Sequence, residues 1–381
     1  MVECQPYSAI LWVVFGMVPT DLYRLLQCPT CGSRDLLVRD AGVHCASCNN
    51  DYPNHGGYID LMPRAVEFGY VSKYVSEEEQ LAEELDYREL APPLLAAGVR
   101  DRALARLLDF RATDVALDNG CGTAKHAVWN AGKVRLMIGS DPATMFADAA
   151  VEQVALAKAD SRRLPFAANT IDKAFSIDVL EHFPRDVIDA YLAETARVLR
   201  PGGRLFVFSN TSDPSSLQLL TDASRKLGQL FVRAGVYDFQ RQARRKSDHI
   251  KALRTWDDVL DAMRVAGLRP VKIVFWNSVF TSFVEHVLMK LGEAVLGRKT
   301  NDQRPTTKDL VPTAASSSIL GLSSGDGTDR EIRARQRMRG RLERRGPAYY
   351  ALLAVTLVME LDLWLFGRLK SGSYFIVVEK P

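Results

Sequence analysis

Between residues 112 and 278 short apolar runs alternate with longer segments whose apolar positions recur every three or four residues. The runs are VALD (115–118), LMIGSD (136–141), ALAKAD (155–160), DKAFSID (172–178), GRLFVFSN (203–210) and PVKIVFW (270–276). Mostly apolar runs of this length predict strands buried on both faces, as in a parallel sheet. Two of the intervening helices are well marked. In 185–200, Val187, Ile188, Tyr191, Leu192, Thr195 and Val198 fall on one face. In 255–267, Thr255 and Asp258 have capping-box spacing, and Gly267 supplies a stop. The alternation predicts an α/β fold with helices on both faces of the sheet, and GSYFIVVEKP adds a last strand at the end of the chain.

The same pattern divides the rest. Residues 1–21 form an apolar arm, 22–63 a cysteine-bearing unit and 64–111 a helical connector. The core is 112–278, a long insertion fills 279–370, and 371–381 return to the core. Within the arm, the apolar run 8–19 is too short to span a bilayer and has no basic leader. It is an anchor, a packed arm, or sequence ahead of a start at Met17. The insertion holds two apolar, helix-type segments, 279–297 and 348–366, separated by a low-complexity stretch, 300–328, expected to be disordered. Glu360 and Asp362 argue against the second segment spanning a membrane. The two segments either pack together beside the core or form a platform that dips into a lipid surface.

Composition is that of a globular protein, and a net charge of +3 does not point to nucleic acid. The distribution of charge adds more. Residues 329–346 hold eight arginines against three acids, a local excess that suits anionic headgroups next to an apolar helix. Residues 211–252 carry a net +4, which suits either an anionic partner or a solvated helical face. Without a secretory leader, the expected location is the cytoplasm, or the inner face of the membrane as a peripheral protein.

The candidate chemistry begins at ALDNGCGTAKHA, 116–127. Gly120 and Gly122 permit a tight turn from strand to helix and a close approach to a ligand. A phosphate-binding Gly-x-x-x-x-Gly-Lys-Ser/Thr loop is absent, and Lys125 stands where a dinucleotide loop has its third glycine. Strand ends fall at Asp118, Asp141, Asp160 and Asp178, the side on which open α/β sheets bind ligands. Asp141, 21 residues after Gly120, can accept hydrogen bonds from a ribose. These features leave S-adenosylmethionine (SAM) and a dinucleotide both open.

The order of LDNGCGTA, GSDPA, ADSRRLPF, DKAFSIDVLEHF and LRPGGRLF resembles the class I SAM-dependent methyltransferases of the type 11 group, which includes quinone-biosynthesis enzymes. The resemblance covers roughly 112–278 and the final strand. It implies a Rossmann-like seven-stranded sheet. It also implies that Asp118, Asn119, Gly120, Cys121 and Gly122 cradle the methionine part, that Asp141 holds the ribose and that Asp160 and Ser161 meet the adenine. Asp178 and Val179 then floor the pocket. Asn119 and Ala124 depart from the family pattern. Methyl transfer chiefly needs alignment, with a base only where the acceptor loses a proton. His182 and His249 are the candidates. The expected acceptor is a small or lipid-like molecule; an RNA methyltransferase and a non-catalytic SAM-binding regulator are the other readings.

Cys28-x-x-Cys31 and Cys45-x-x-Cys48, thirteen residues apart, have zinc-ribbon spacing. Four thiolates close a tetrahedral Zn(2+) site, so the metal is expected to be structural. The segment resembles the ribbon found as an activator of tRNA and protein methyltransferases, and ribbons that open some rRNA methyltransferases. Against a nucleic-acid partner, it lacks basic and aromatic interleaving.

Overall fold

The computed structural model describes residues 19–64, 89–233, 250–289, 291, 342 and 345–381. Residues 1–18 of the expected arm, 65–88 of the connector, the 300–328 stretch, nearly all of the arginine-rich segment and His249 lie outside the described residues.

The expected strands form. They are β5 (Val115–Asn119), β6 (Leu136–Asp141), β7 (Ala155–Lys158), β8 (Ile171–Ile177), β9 (Leu199–Asn210), β10 (Arg269–Phe275) and β11 (Ser373–Glu379). Four short strands precede them: β1 (Leu36–Arg39), β2 (Gly42–Cys45), β3 (Asp51–Pro53) and β4 (Tyr58–Asp60). Among the described residues β1 to β3 make a small antiparallel sheet, and the other eight make one sheet ordered β10-β11-β9-β8-β5-β6-β7-β4. Strands β5 to β9 pair in parallel, while β11 enters antiparallel between β9 and β10.

Side-chain alternation builds a core on each face. Val115, Leu117, Leu205, Val207, Ile376 and Val378 enter one cluster; Ala116, Phe206, Phe208, Phe375 and Val377 enter the other. On the first face lie α5 (Arg185–Val198), burying the apolar stripe read from its sequence, and α7 (Trp256–Val265), whose Thr255–Asp258 capping box is formed. On the second lie α2 (Leu95–Leu108), α3 (Lys125–Asn130) and α9 (Pro347–Phe366). The remaining helices are α1 (Thr20–Tyr23), α4 (Asp148–Gln153), α6 (Gln218–Arg233) and α8 (Val279–Phe283), which runs on into a π turn, Val284–Leu288.

The eighth strand comes from the cysteine-bearing unit. β4 pairs in parallel with β7 in the register Tyr58↔Leu156 to Asp60↔Lys158, and Leu61 N–H donates to Lys158 O at 2.8 Å. Residues before the first knuckle clip the same edge: Gln27 N–H donates to Pro165 O and Ala167 N–H to Leu25 O. Leu22, Leu26, Tyr52, Ile59 and Leu61 join the same cluster as Leu117 and Ile138. The ribbon and the large sheet therefore share one core, and they should unfold together. Ile59→Ala is expected to lower global stability by about 2–5 kcal/mol, the usual cost of emptying a buried aliphatic site. Urea unfolding followed by tryptophan fluorescence checks this; an unshifted midpoint, or a separate early transition, speaks against a shared core.

Candidate active site

β5 ends in two buried residues, Asp118 and Asn119, before the glycine turn. Gly120 has φ +84°, and a Cβ there would lie 2.7 Å from Val179 Cγ2, so Val179 packs directly on the turn. Gly122, at φ +53°, would point a Cβ into open space, with no atom within 4 Å. Ala124 is left-handed as well, at φ 58°, which is the conformation a glycine would adopt without strain. The glycine pattern thus ends in an alanine that keeps the glycine geometry.

Asp141, at the end of β6, reaches across this turn. Its carboxylate accepts from Gly122 N–H at 2.7 Å and from Ala143 N–H at 2.9 Å. Burial, then the charge of Asp141, push the Asp118 carboxyl well above the usual range, with Lys125 partly offsetting. Burial and these two acids also push the Cys121 thiol up, so it stays protonated and unreactive.

Asn119 is the hub of the strand ends. Its Nδ2 donates to Thr195 Oγ1 at 3.1 Å on α5, and its Oδ1 accepts from Ser140 Oγ at 3.3 Å and Ser161 Oγ at 2.7 Å. Its backbone carbonyl accepts from Tyr191 O–H at 2.8 Å. Ser161 therefore has its hydroxyl turned toward β5. The neighbouring Asp160 carboxylate is gripped by Arg162, with Nη2 at 2.7 Å and Nε at 3.0 Å. Asp178, just past β8, is left-handed at φ 59° and accepts from Arg100 Nη1 on α2. The Arg100 guanidinium also lies over Phe208, 5.0 Å from its ring centroid. Asp160 and Asp178 are each matched by an arginine, whereas Asp118 and Asp141 repel each other. A ligand with positive charge and hydroxyl groups would relieve that repulsion, and the sulfonium, ammonium and ribose of SAM have that chemistry.

His182 sits in a short turn, Leu180–His182, and is buried, its backbone N–H donating to Val179 O at 3.0 Å. Beside it stands Glu181, which the sequence reading passed over. Its carboxylate accepts from Ser209 Oγ at 2.7 Å and Asn210 Nδ2 at 3.3 Å, and its backbone carbonyl from the N–H groups of Ile250 and Lys251. Burial, then the charge of Asp178, raise its carboxyl to about 7 despite the hydrogen bonds from Ser209 and Asn210. Its only sequence signal was its place in DVLEHF, and Arg100 had none, because helix packing alone brings it there.

The four knuckle cysteines converge. Their Sγ atoms all lie within 4.8 Å of one another, with Cys28–Cys48 and Cys31–Cys45 at 3.6 Å. Sulfurs about 2.3 Å from a shared tetrahedral zinc stand roughly 3.8 Å apart, so the donor set fits Zn(2+).

Comparison with known proteins bears on the core. Residues 117–207 match the methyltransferase domain family. The matched stretch holds the glycine turn and all four strand-end acids. Over 128 residues the chain is 33% identical to methyltransferase GfsG of Streptomyces halstedii, covering 30% of this chain and 45% of that one. It is 38% identical over 109 residues to the demethylmenaquinone methyltransferase of Mycolicibacterium vanbaalenii, covering 28% and 46%. An uncharacterized 37.1 kDa protein in transposon TN4556 of Streptomyces fradiae is 29% identical over 257 residues, covering 63% and 66%. The chain spans about half the length of the first two of these relatives.

The raised Glu181 carboxyl makes a prediction about pH. The folded state keeps a proton that the unfolded chain releases near 4.5, so this group's stabilisation is full below that pH and is lost as pH rises through about 7. Glu181→Gln should therefore gain stability relative to the parent between about pH 5 and 8. Urea midpoints across that range test it, and a difference that does not change with pH counts against the assignment.

Proposed function

We propose that the chain is a SAM-dependent methyltransferase acting on a small-molecule acceptor of lipid-like character. The observation that carries this reading is the turn at Gly120 to Gly122 with Asp141 across it, inside the methyltransferase-domain match. SAM, when bound, supplies an electrophilic methyl group on a positively charged sulfur. Gly122 leaves room for close approach at the turn, and on this reading Asp118 and Asp141 complement the positive charge while Asp141 accepts from the ribose hydroxyls. Asp160 lies near the expected adenine end. Val179 and the Arg100-bound Asp178 border the pocket. For a hydroxyl acceptor, His182, Glu181 and His249 are the candidates to take a proton.

The lipid-like acceptor is our inference from the apolar helices of the insertion, and a relative named as a demethylmenaquinone methyltransferase is in keeping with it. On the same reading, residues 329–366 contact an anionic membrane from its cytoplasmic side. The Cys28, Cys31, Cys45 and Cys48 cluster holds a structural zinc that stiffens the edge of the sheet.

Two measurements test these assignments. Calorimetric titration should find SAM binding to the parent chain, weakened at least about tenfold in Asp141→Ala, since hydrogen bonds to charged groups contribute about 1.5–3 kcal/mol. No binding by the parent, or unchanged binding by the variant, rejects the cofactor site. Elemental analysis should find one zinc per chain, lost in Cys45→Ser together with a marked fall in Tm, because structural zinc contributes directly to folding. A metal-free parent of unaltered stability would remove zinc from the account.

A further inference from the structure

Helix α9 has an inverted distribution of polarity. Its buried residues are Thr356, Met359, Asp362 and Leu363. Thr356 Oγ1 accepts from Leu95 N–H, and Asp362 accepts from the N–H groups of Phe280 and Thr281 at the start of α8. Glu360 faces Arg102 and Arg106 on α2. The polar groups thus form an inner seam. The outward face carries Tyr350, Leu357, Leu361, Trp364 and Leu365, spaced as one helical stripe, with Trp364 77% exposed. Among the described residues this is the one helix long and apolar enough to cross a membrane. Its seam fixes it to the domain, so it is suited to lying on a bilayer rather than crossing it.

At the C-terminal end of the stripe opens a cavity of about 410 Å³. Arg106, Lys272 and Arg368 line it together with Ile273, Leu363 and Trp364. Arg106 is shared with Glu360 at 3.6 Å, while Lys272 and Arg368 make no ion pair among the described residues. The cavity is set apart from the cofactor end of the sheet. Arg100 on α2 reaches Asp178 at that end, and Arg106 lies six residues, about 9 Å, further along the helix. Three cations around an apolar floor match an anion that carries a hydrocarbon body. A free phosphate would use the cations and leave Trp364 and the stripe in water; a phospholipid uses both.

We propose that this cavity seats the phosphate of an anionic phospholipid while the outer stripe of α9 enters the acyl layer. The proposal rests on the membrane reading above and narrows it to one site. The headgroup then fixes how the domain lies on the bilayer, with Trp364 at the interface, where tryptophan is favoured.

Co-sedimentation with vesicles tests it, using phosphatidylcholine alone or mixed with phosphatidylglycerol. The parent chain should bind the mixed vesicles and bind phosphatidylcholine more weakly. The exposed double variant Lys272→Glu/Arg368→Glu should lose about tenfold or more in partitioning to mixed vesicles, since each basic residue near such a surface contributes about 1 kcal/mol. Trp364→Ser should weaken binding to both kinds. Both variants should keep the parent's thermal midpoint and its SAM titration. Mixed-vesicle binding unchanged in the double variant overturns the headgroup site alone, whereas a parent chain that binds no vesicle overturns the membrane reading with it. Displacement from vesicles by inorganic phosphate, beyond a chloride control of equal ionic strength, reassigns the cavity to a soluble phosphate and overturns the bilayer source. Failure of the parent to bind SAM is a separate result that rejects the methyltransferase reading and leaves the vesicle result standing.

Discussion

The buried amide of Asn119 is the interaction on which the candidate active site depends. A parallel sheet aligns its strands by backbone ladders, but those ladders stop where the ligand side begins. At the last residue of β5, Asn119 ties Ser140 on β6, Ser161 after β7 and Thr195 on α5 to one point. Every polar atom of its amide has a partner, in a setting where an unmet donor or acceptor costs about 1–3 kcal/mol. The strand ends that carry Asp118, Asp141 and Asp160 are therefore held at fixed separations before any ligand arrives. Such preorganisation suits methyl transfer, in which the protein contributes alignment more than covalent chemistry.

The acids at the strand ends have been given different electrostatic tasks. Arg162 and Arg100 neutralise Asp160 and Asp178, which leaves those carboxylates as shaped, hydrogen-bonding surfaces. The Asp118 carboxyl is raised by burial first and by the charge of Asp141 second. Positive charge on a ligand is thus most favoured at the glycine turn. Glu181 adds a carboxyl raised to about 7 by burial and then by the charge of Asp178, and its backbone carbonyl accepts from the N–H groups of Ile250 and Lys251.

Much of this was readable from the chain because it depends on local pattern. Strand lengths, the Thr255–Asp258 cap, the face of α5 and the spacing of the cysteine pairs each arise within a few residues. The readings that sequence could not supply depend on tertiary placement. Nothing in YID at 58–60 says that it will pair with β7, because three residues carry too little periodicity to name a partner. Arg100 looks like any surface arginine until α2 packs over Phe208. Asn119 read as a departure from a motif, and only the positions of Ser140, Ser161 and Thr195 make it a junction. Asp362 stood out in the sequence as an acid in an apolar segment, but its use as an acceptor for the start of α8 required the fold.

The two edges of the sheet show how the flanking units differ. An open edge strand offers unpaired backbone groups to any other strand, so proteins cover it or make it unattractive. On the β7 side the ribbon covers it with β4. On the other side β10 remains exposed along most of its length, including Val271 and Ile273. It is disrupted by Pro270, by a register shift between Pro270 and Lys272, and by the charge of Lys272 itself. Those features block edge-to-edge pairing. Lys272 also faces the cavity beneath Trp364, so the residue that discourages strand addition supplies one of the cations of the proposed headgroup site. The covered edge is closed by backbone pairing with β4, whereas β10 is guarded by a proline and a charge.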